Sequence, residues 1–521
     1  MNKAGSITKK LKRQSGLESG LTTMEIMIAM FIFVLTISAV IMVLFGGQST
    51  EIDTETNQEA LYFAQATLEE TRAKSRGTVS EFNSINSTPA TGSGDIYTQQ
   101  LNVNDISPCV KRVTSEIDWD VEGRDQLIDL TTIIGNIEAF IESGSDCSIS
   151  EPSDEWKNPD SLASVDLQPS GVEATGIDVI DKIVYLSADP SSDPQSYLFK
   201  IDATGACYGC SDPPIIGELN IGPGLNDIDV VKNFDDSGKN YAFAANASKS
   251  QQFVVIDVSD PTNPSLVALR SLPGVNPSGS YPQGRSVFFH NSLVYVGTGE
   301  TAGPEFHIFD VSDPTNPQWL DSIYVNRNIN EIVVRDGLAY LATGPGASFN
   351  NPFKIFDVNP SSPTYLKGVG SFTAGSTTGN GRGLYVLGNK AYLGLERNSG
   401  DDFYILDISD PSNIVELGSK DFDDGICNEY NPTNGNTTPG QKCLGPNTEI
   451  TGIKVVGKFA FLSTSYQTGG FQVWNIQDPA NIQNCSMLNY SEKVADMDYE
   501  DNLVYLANQS QNALRIIFDN P

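Results

Sequence analysis

The sequence predicts an α+β stalk, made of a long N-terminal helix and a small antiparallel sheet, followed by an all-β seven-bladed propeller. Three observations carry this prediction. Residues 26–45 form an apolar run without a charge, and an amphipathic stretch follows it. Two β-branched segments then flank a Gly-containing turn at residues 122–123. Beyond residue 160 an aromatic strand signal recurs seven times.

The first element is the apolar run. At ~1.5 Å per residue, its twenty residues match the ~30 Å hydrocarbon core of a bilayer. It begins next to a carboxylate, Glu25, and a carboxylate inside a spanning helix costs roughly 2.5–3.5 kcal/mol, so it needs a partner. Cleavage between Gly20 and Leu21 would create one: the new α-amino group of a neighbouring subunit. Lys3, Lys9, Lys10, Lys12 and Arg13 precede the cut, and acidic residues dominate after the helix. By the positive-inside rule, residues 1–20 lie in the cytoplasm and the rest of the chain is exported.

This combination of basic leader, Gly20, apolar helix and Glu at the fifth mature position resembles the class III signal of type IV pilins and pseudopilins. The resemblance implies cleavage after Gly20 by a prepilin peptidase, N-methylation of Leu21 (the family's usual residue there is Phe) and assembly through Glu25. It also implies residence in the inner membrane before assembly with other pilin subunits into an extracellular pilus. The apolar run exceeds a usual secretory h-region, and no Ala-x-Ala site follows it.

Net charge is −33, and removal of a leader worth +4 would bring it to about −37, which argues against nucleic acid as a partner. Seven cysteines in an exported chain point to disulfides with one thiol left over. Cys109 pairs naturally with Cys147, Cys427 and Cys443 bracket one loop, and Cys207 and Cys210 could close a small ring. Cys485 has no evident partner.

After Gly46-Gly47 the helical pattern resumes, with Leu61, Ala64 and Leu68 on one face and Gly77 as a stop. Taken as one helix, residues 21–76 would extend roughly 84 Å, with the glycine pair as a point of bending. Residues 110–134 read as a hairpin that resembles the small sheet of minor pilins and pseudopilins, completing a pilin-like domain at 21–147. Residues 148–160, with Pro152 and Pro159, read as a linker to a propeller at 161–521.

The propeller repeats carry an aromatic at Tyr185, Phe243, Tyr295, Tyr340, Tyr392, Phe461 and Tyr505. A second strand follows each, as in "FVVIDVSDP", "FHIFDVSDP" and "FYILDISDP". A period of about fifty residues with four strand signals per unit is that of a β-propeller. The "FHIFDVSDPTNP" phrase resembles the LVIVD-type repeat of bacterial surface proteins. The last unit ends one strand short, so residues 161–169 are expected to close the ring and hide two sheet edges.

The repeated acids Asp257, Asp260, Asp310, Asp313, Asp407 and Asp410 read as turn residues, since Asp caps its own backbone and Pro fixes φ. No cofactor is expected; the alternating carboxylates of residues 421–429 leave Ca²⁺ open, without an EF-hand pattern. His290 sits at a turn, and His307 occupies a strand position that other units fill with Val254, Lys354, Tyr404 and Gln472, so no catalytic constellation assembles and no enzyme is expected.

The expected role is a low-copy or tip minor pilin presenting an adhesive or recognition head. The alternative is a pseudopilin-like component of a secretion or DNA-uptake system whose propeller binds transported protein. Long, irregular links fall on one face of the propeller, the insertion at 423–449 among them, and Tyr281, Phe349, Tyr430 and Tyr466 are its candidate contacts for an unidentified surface or protein ligand.

Overall fold

The computed structural model describes residues 30–36, 51–136 and 155–520, with breaks at 78–80, 83, 94–95, 108, 122–123, 168–170, 191–196, 235–236, 279–281, 347–350, 376–378, 397–399, 423–425, 432–435, 443–448, 466–469 and 490–491. The chain divides into two compact units, one comprising residues 1–74, 84–104 and 112–133, the other comprising 75–83, 105–111 and 134–521.

The expected α+β stalk led by one helix over residues 21–76 is overturned. The described residues are nearly all β, with helix at 30–36 and Glu51–Ser75. The Gly46-Gly47 pair and the Gln-Ser-Thr that follows it oppose helix continuation, since each interior glycine costs about 1 kcal/mol relative to alanine. Among the described residues no helix is long and apolar enough to cross a membrane. Most of the 26–45 run lies outside them, as do Gly20, Leu21 and Glu25.

In the first unit, the helix Glu51–Ser75 buries Ala60 and Ala64 against Tyr97, Ile117 and Trp119. The Tyr97 hydroxyl donates to Glu59 Oε2 at 3.0 Å, so the ring is buried while its polar end is satisfied. The strands Thr88–Ser93, Tyr97–Ser107, Val110–Val121 and Arg124–Gly135 form a sheet in chain order.

The second unit contains seven further sheets whose first strands touch in cyclic order. These inner strands are Val172–Ile180, Leu225–Val231, Gly284–His290, Arg327–Arg335, Asn380–Leu387, Ile450–Val456 and Val494–Glu500, and they define blades 1 to 7. Each blade runs outward in chain order, except that Pro159–Asp166 supplies the outer strand of blade 7 by pairing antiparallel with Asn512–Asp519. The first and last strands of the unit thus share one blade, and the ring has no free seam.

Second strands are buried on both faces, which explains their continuous apolar runs: all six residues of Tyr241–Asn246 and of Phe459–Thr464 are buried. The seven repeated aromatics are all buried, each opposite an inner-strand residue two positions past a bulge or glycine. The Asp-Pro turns serve packing. Asp260, Asp313, Asp410 and Asp478 each accept a backbone N–H two residues on, and the turn then presses on the neighbouring blade. A Cβ on Gly418 in blade 5 would lie 1.8 Å from the Pro479 carbonyl oxygen of blade 6, and one on Gly370 would lie 2.1 Å from that of Pro411.

The insertion at 423–449 is more than a loop. It contains a hairpin, Ile426–Asn431 and Asn436–Lys442, that extends blade 6 to six strands, with Glu429 pairing parallel to Met487 on the outer strand. A sheet edge that other blades leave open is covered here.

Candidate functional site

Antiparallel order places the start of every inner strand on one face of the ring, together with the second-to-third links and the links between blades. Most long links gather there, including residues 271–283 and 421–449. Turns on the other face are short or Asp-Pro turns, with three longer exceptions at 203–214, 232–240 and 358–367. The first exception is clamped by the disulfide Cys207–Cys210, which brings Tyr208 against Phe518 at 5.8 Å.

The chain enters the propeller on this short-turn face. Trp156 is fully buried, 4.8 Å from the Phe461 ring, and its Nε1 donates to Asn502 Oδ1 at 3.2 Å. The backbone N–H of Asn158 donates to Asp519 Oδ1 at 2.8 Å.

On the long-link face, side chains at the head of the third strands root the links. Glu305 is fully buried and accepts the N–H groups of Val325 and Asn326 at 2.8 and 2.9 Å, Asp402 accepts that of Phe422 at 2.9 Å, and Gln252 accepts that of Leu272 at 3.1 Å. Irregular links therefore stand on a fixed base. Bulged residues of the inner strands add a second fastening: Thr175, Asn226, Asn330 and Thr451 each donate to a carbonyl of the next blade, those of Leu225, Gly284, Gly381 and Val494, at 2.5–3.0 Å.

Below the bulges the inner strands enclose an axial cavity of about 300 Å³. Asp178, Asp227, Asp229, Glu331, Asp496 and Asp498 line it, together with Lys454. The acids of blades 1, 2 and 7 alternate along their strands with the buried Ile177, Ile228, Val230 and Met497. They also sew blades together. Asp496 and Asp498 of blade 7 accept the N–H groups of Ile177 and Val179 of blade 1 at 3.1 and 2.8 Å; Asp178 accepts that of Val230 at 2.6 Å; Asp227 and Asp229 accept those of Val287 and Phe289 at 2.9 and 2.6 Å.

Burial leads the shifts of Asp178, Asp227, Asp229, Glu331 and Asp496. It pushes Asp227 up to about 8, helped by the charge of Asp496, and brings Asp229 and Asp496 to about 6. Asp178 and Glu331 are raised well above the usual carboxylate range, again by burial first and neighbouring acids second. Burial opposes the charge of Lys454, but Asp498, whose Oδ1 lies 2.9 Å from Nζ, helps to hold its pKa above the ordinary value. At neutral pH Asp227 therefore keeps its proton while Asp229 and Asp496 are mostly ionised, beside the Lys454–Asp498 ion pair. Among the described residues no three His, Cys, Asp or Glu converge as they would around a metal ion.

The remaining candidates are distributed as follows. Cys109 is disulfide-bonded, while Cys147 and Cys443 lie outside the described residues, as does the side chain of Cys427. Cys485 is a half-buried free thiol. Tyr281, Phe349 and Tyr466 lie outside the described residues; Tyr430 belongs to the hairpin strand Ile426–Asn431. His307 is fully buried, with Nε2 3.0 Å from the Pro304 carbonyl, and burial lowers its pKa to about 4; His290 ends an inner strand. The axial acids were missed by attention to the Asp-Pro turns. Their signal was present in "GIDVI", "NDIDV" and "ADMDY", where acids alternate with apolar residues in otherwise buried strands.

The LVIVD repeat model matches residues 237–269 and 378–421, so the chain carries LVIVD repeats on a β-propeller-type fold. No curated protein matches the chain. Among solved structures it is similar to hydrazine synthase of Kuenenia stuttgartiensis at 10% identity, over 68% of this chain and 96% of that one, with a TM-score of 0.45. It is also similar to the WD40 β-propeller domain of Doa1 at 11% identity, over 69% and 97%, with a TM-score of 0.40.

Proposed function

We propose that the chain is an exported recognition protein, a minor pilin of low copy number or at the tip, whose propeller binds a partner through its long-link face and performs no catalysis. The observation that carries this is the asymmetry between faces: irregular links rooted by buried hydrogen bonds on one side, and mostly short or Asp-Pro turns on the other, where the chain also enters. Variable links on a rigid scaffold are where binding residues concentrate. The pilus part of the reading rests on the leader, Gly20, Leu21 and Glu25 motif. A head of ~350 residues on every subunit would crowd a close-packed filament, hence the low copy number.

The test has two arms. Gly20→Val should block leader removal, and Glu25→Ala should permit it while depleting the protein from sheared filaments; normal incorporation of the Ala variant would sink the filament role. Replacing residues 423–449 with a short Gly-Ser link should leave the ring folded but reduce attachment of filament-bearing cells to their natural surface. Undiminished attachment would move recognition away from this hairpin.

A further inference from the structure

At the long-link end of the axial cavity, three inner-strand bulges depart from the pattern of the others: blade 7 places Ala495, and two others place arginine. Where blades 1, 2, 4 and 6 place a Thr or Asn that fastens to the next blade, blades 3 and 5 place Arg285 and Arg382. Among the described residues neither donates to a backbone carbonyl of the following inner strand. Arg285 Nη2 donates to Asn330 Oδ1 at 3.0 Å, and Asn330 in turn holds the Gly381 carbonyl next to Arg382 at 2.7 Å, so the three side chains stand on adjacent blades.

Arg285 Nε is buried without a hydrogen-bond partner, and Arg382 makes no hydrogen bond or ion pair among the described residues. Burial and the proximity of Arg382 both disfavour the charge on Arg285, and Glu396 opposes this only in part. Glu331, the next inner-strand residue after Asn330, has its pKa raised by burial first and by Asp227 and Asp496 next, while Lys454 and Arg382 pull it down. In a chain of net charge −33 with 65 acids, two neighbouring arginines that make no ion pair among the described residues, one of them with a buried orphan donor, are an arrangement that a ligand would complete.

We propose that Arg285, Arg382 and Asn330 form a binding site for a carboxylate group at the mouth of the axial cavity. Guanidinium forks match a planar carboxylate in two parallel hydrogen bonds, and the Asn330 amide supplies a polar neighbour already fixed by its own bond to blade 5. The acidic surroundings favour a singly charged carboxylate over a doubly charged phosphate. The site deepens the recognition reading and rests on it for its biological partner, which is either an acidic sugar or an acidic peptide side chain; the shared chemistry is the carboxylate.

Titration calorimetry on the purified full chain tests this with glucuronate, an N-acetylated and C-amidated tetrapeptide containing one glutamate, inorganic phosphate, and glucose and the equally blocked glutamine tetrapeptide as uncharged counterparts. Saturable binding of one carboxylate probe, with none of its uncharged counterpart and weaker binding of phosphate, is expected, and the carboxylate that binds identifies the source. Arg285→Gln and Arg382→Gln should each weaken it about tenfold or more at unchanged melting temperature, and Arg285→Lys should recover part of the loss. No binding of either carboxylate, equal binding of the uncharged probes, or wild-type binding by both Gln variants overturns the site. Should carboxylate binding be absent while cell attachment persists, the site falls and the recognition reading stands.

Discussion

Asp498, on the inner strand of the last blade, accepts the backbone N–H of Val179 on the inner strand of the first at 2.8 Å, across 319 positions of sequence. The same carboxylate holds Lys454 of blade 6 at 2.9 Å. One side chain therefore joins three blades at the point where the ring closes. Asp498→Ala leaves the partly exposed Lys454 ammonium short of its partner and the Val179 N–H unsatisfied, so a loss of about 1–3 kcal/mol is expected in urea unfolding. The pair Asp498→Leu with Lys454→Met should recover part of it; equal destabilisation by both would place the effect elsewhere.

Ring closure by the outer strand of blade 7 makes a second prediction. Deleting residues 162–167 removes the strand paired with Asn512–Asp519 and opens two edges at once. The whole propeller should melt at lower temperature, with blades losing protection from amide exchange together. A melt unchanged by the deletion would contradict closure.

The axial carboxyls set a pH dependence opposite to that of paired surface acids. Their folded pKa values, about 6 for Asp229 and Asp496 and about 8 for Asp227, lie above the ~3.9 of an unfolded Asp. The native state therefore binds more protons than the unfolded chain between these limits, and stability falls as pH rises from about 4 to about 8. Thermal melts should show a lower midpoint at pH 8 than at pH 5. Asp227→Asn should flatten the profile; a midpoint that rises over this interval would refute the account.

Packing at the blade interfaces can be tested at Gly418, where an added Cβ meets a backbone oxygen that cannot rotate away. Gly418→Ala should cost about 1–3 kcal/mol or more by chemical denaturation, while Gly205→Ala, which meets nothing within 4 Å, should be near neutral.

The anchor of the incoming chain is Trp156. Trp156→Ala removes a fully buried indole from between Phe461 and Phe471 and should cost about 3–5 kcal/mol, whereas Trp156→Phe should cost less. Equal losses would mean that the Nε1 bond to Asn502, rather than ring packing, secures the entry.

The blade repeats were legible in the sequence because their chemistry is local. Buried second strands need unbroken apolar runs such as "YAFAA", and each Asp-Pro turn is closed by its own Asp side chain two residues on, so both features are written in adjacent residues. The helix was overextended for the same reason in reverse: residues 21–45 and 51–75 each carry local helical signals, which do not by themselves make one long helix.

By itself, the sequence determined seven repeat units, their strand order and the missing strand that closes the ring, because hydrophobic runs and turn residues act over a few neighbours. Only the tertiary structure decided which of the 65 acids meet on the axis, and that Arg285 and Arg382 stand beside each other with Asn330 between their blades. The physical reason is that desolvation and charge proximity belong to the assembled ring. An Asp in "NDIDV" differs from an Asp in "SDPTNP" only once the inner strands converge and exclude water from one of them.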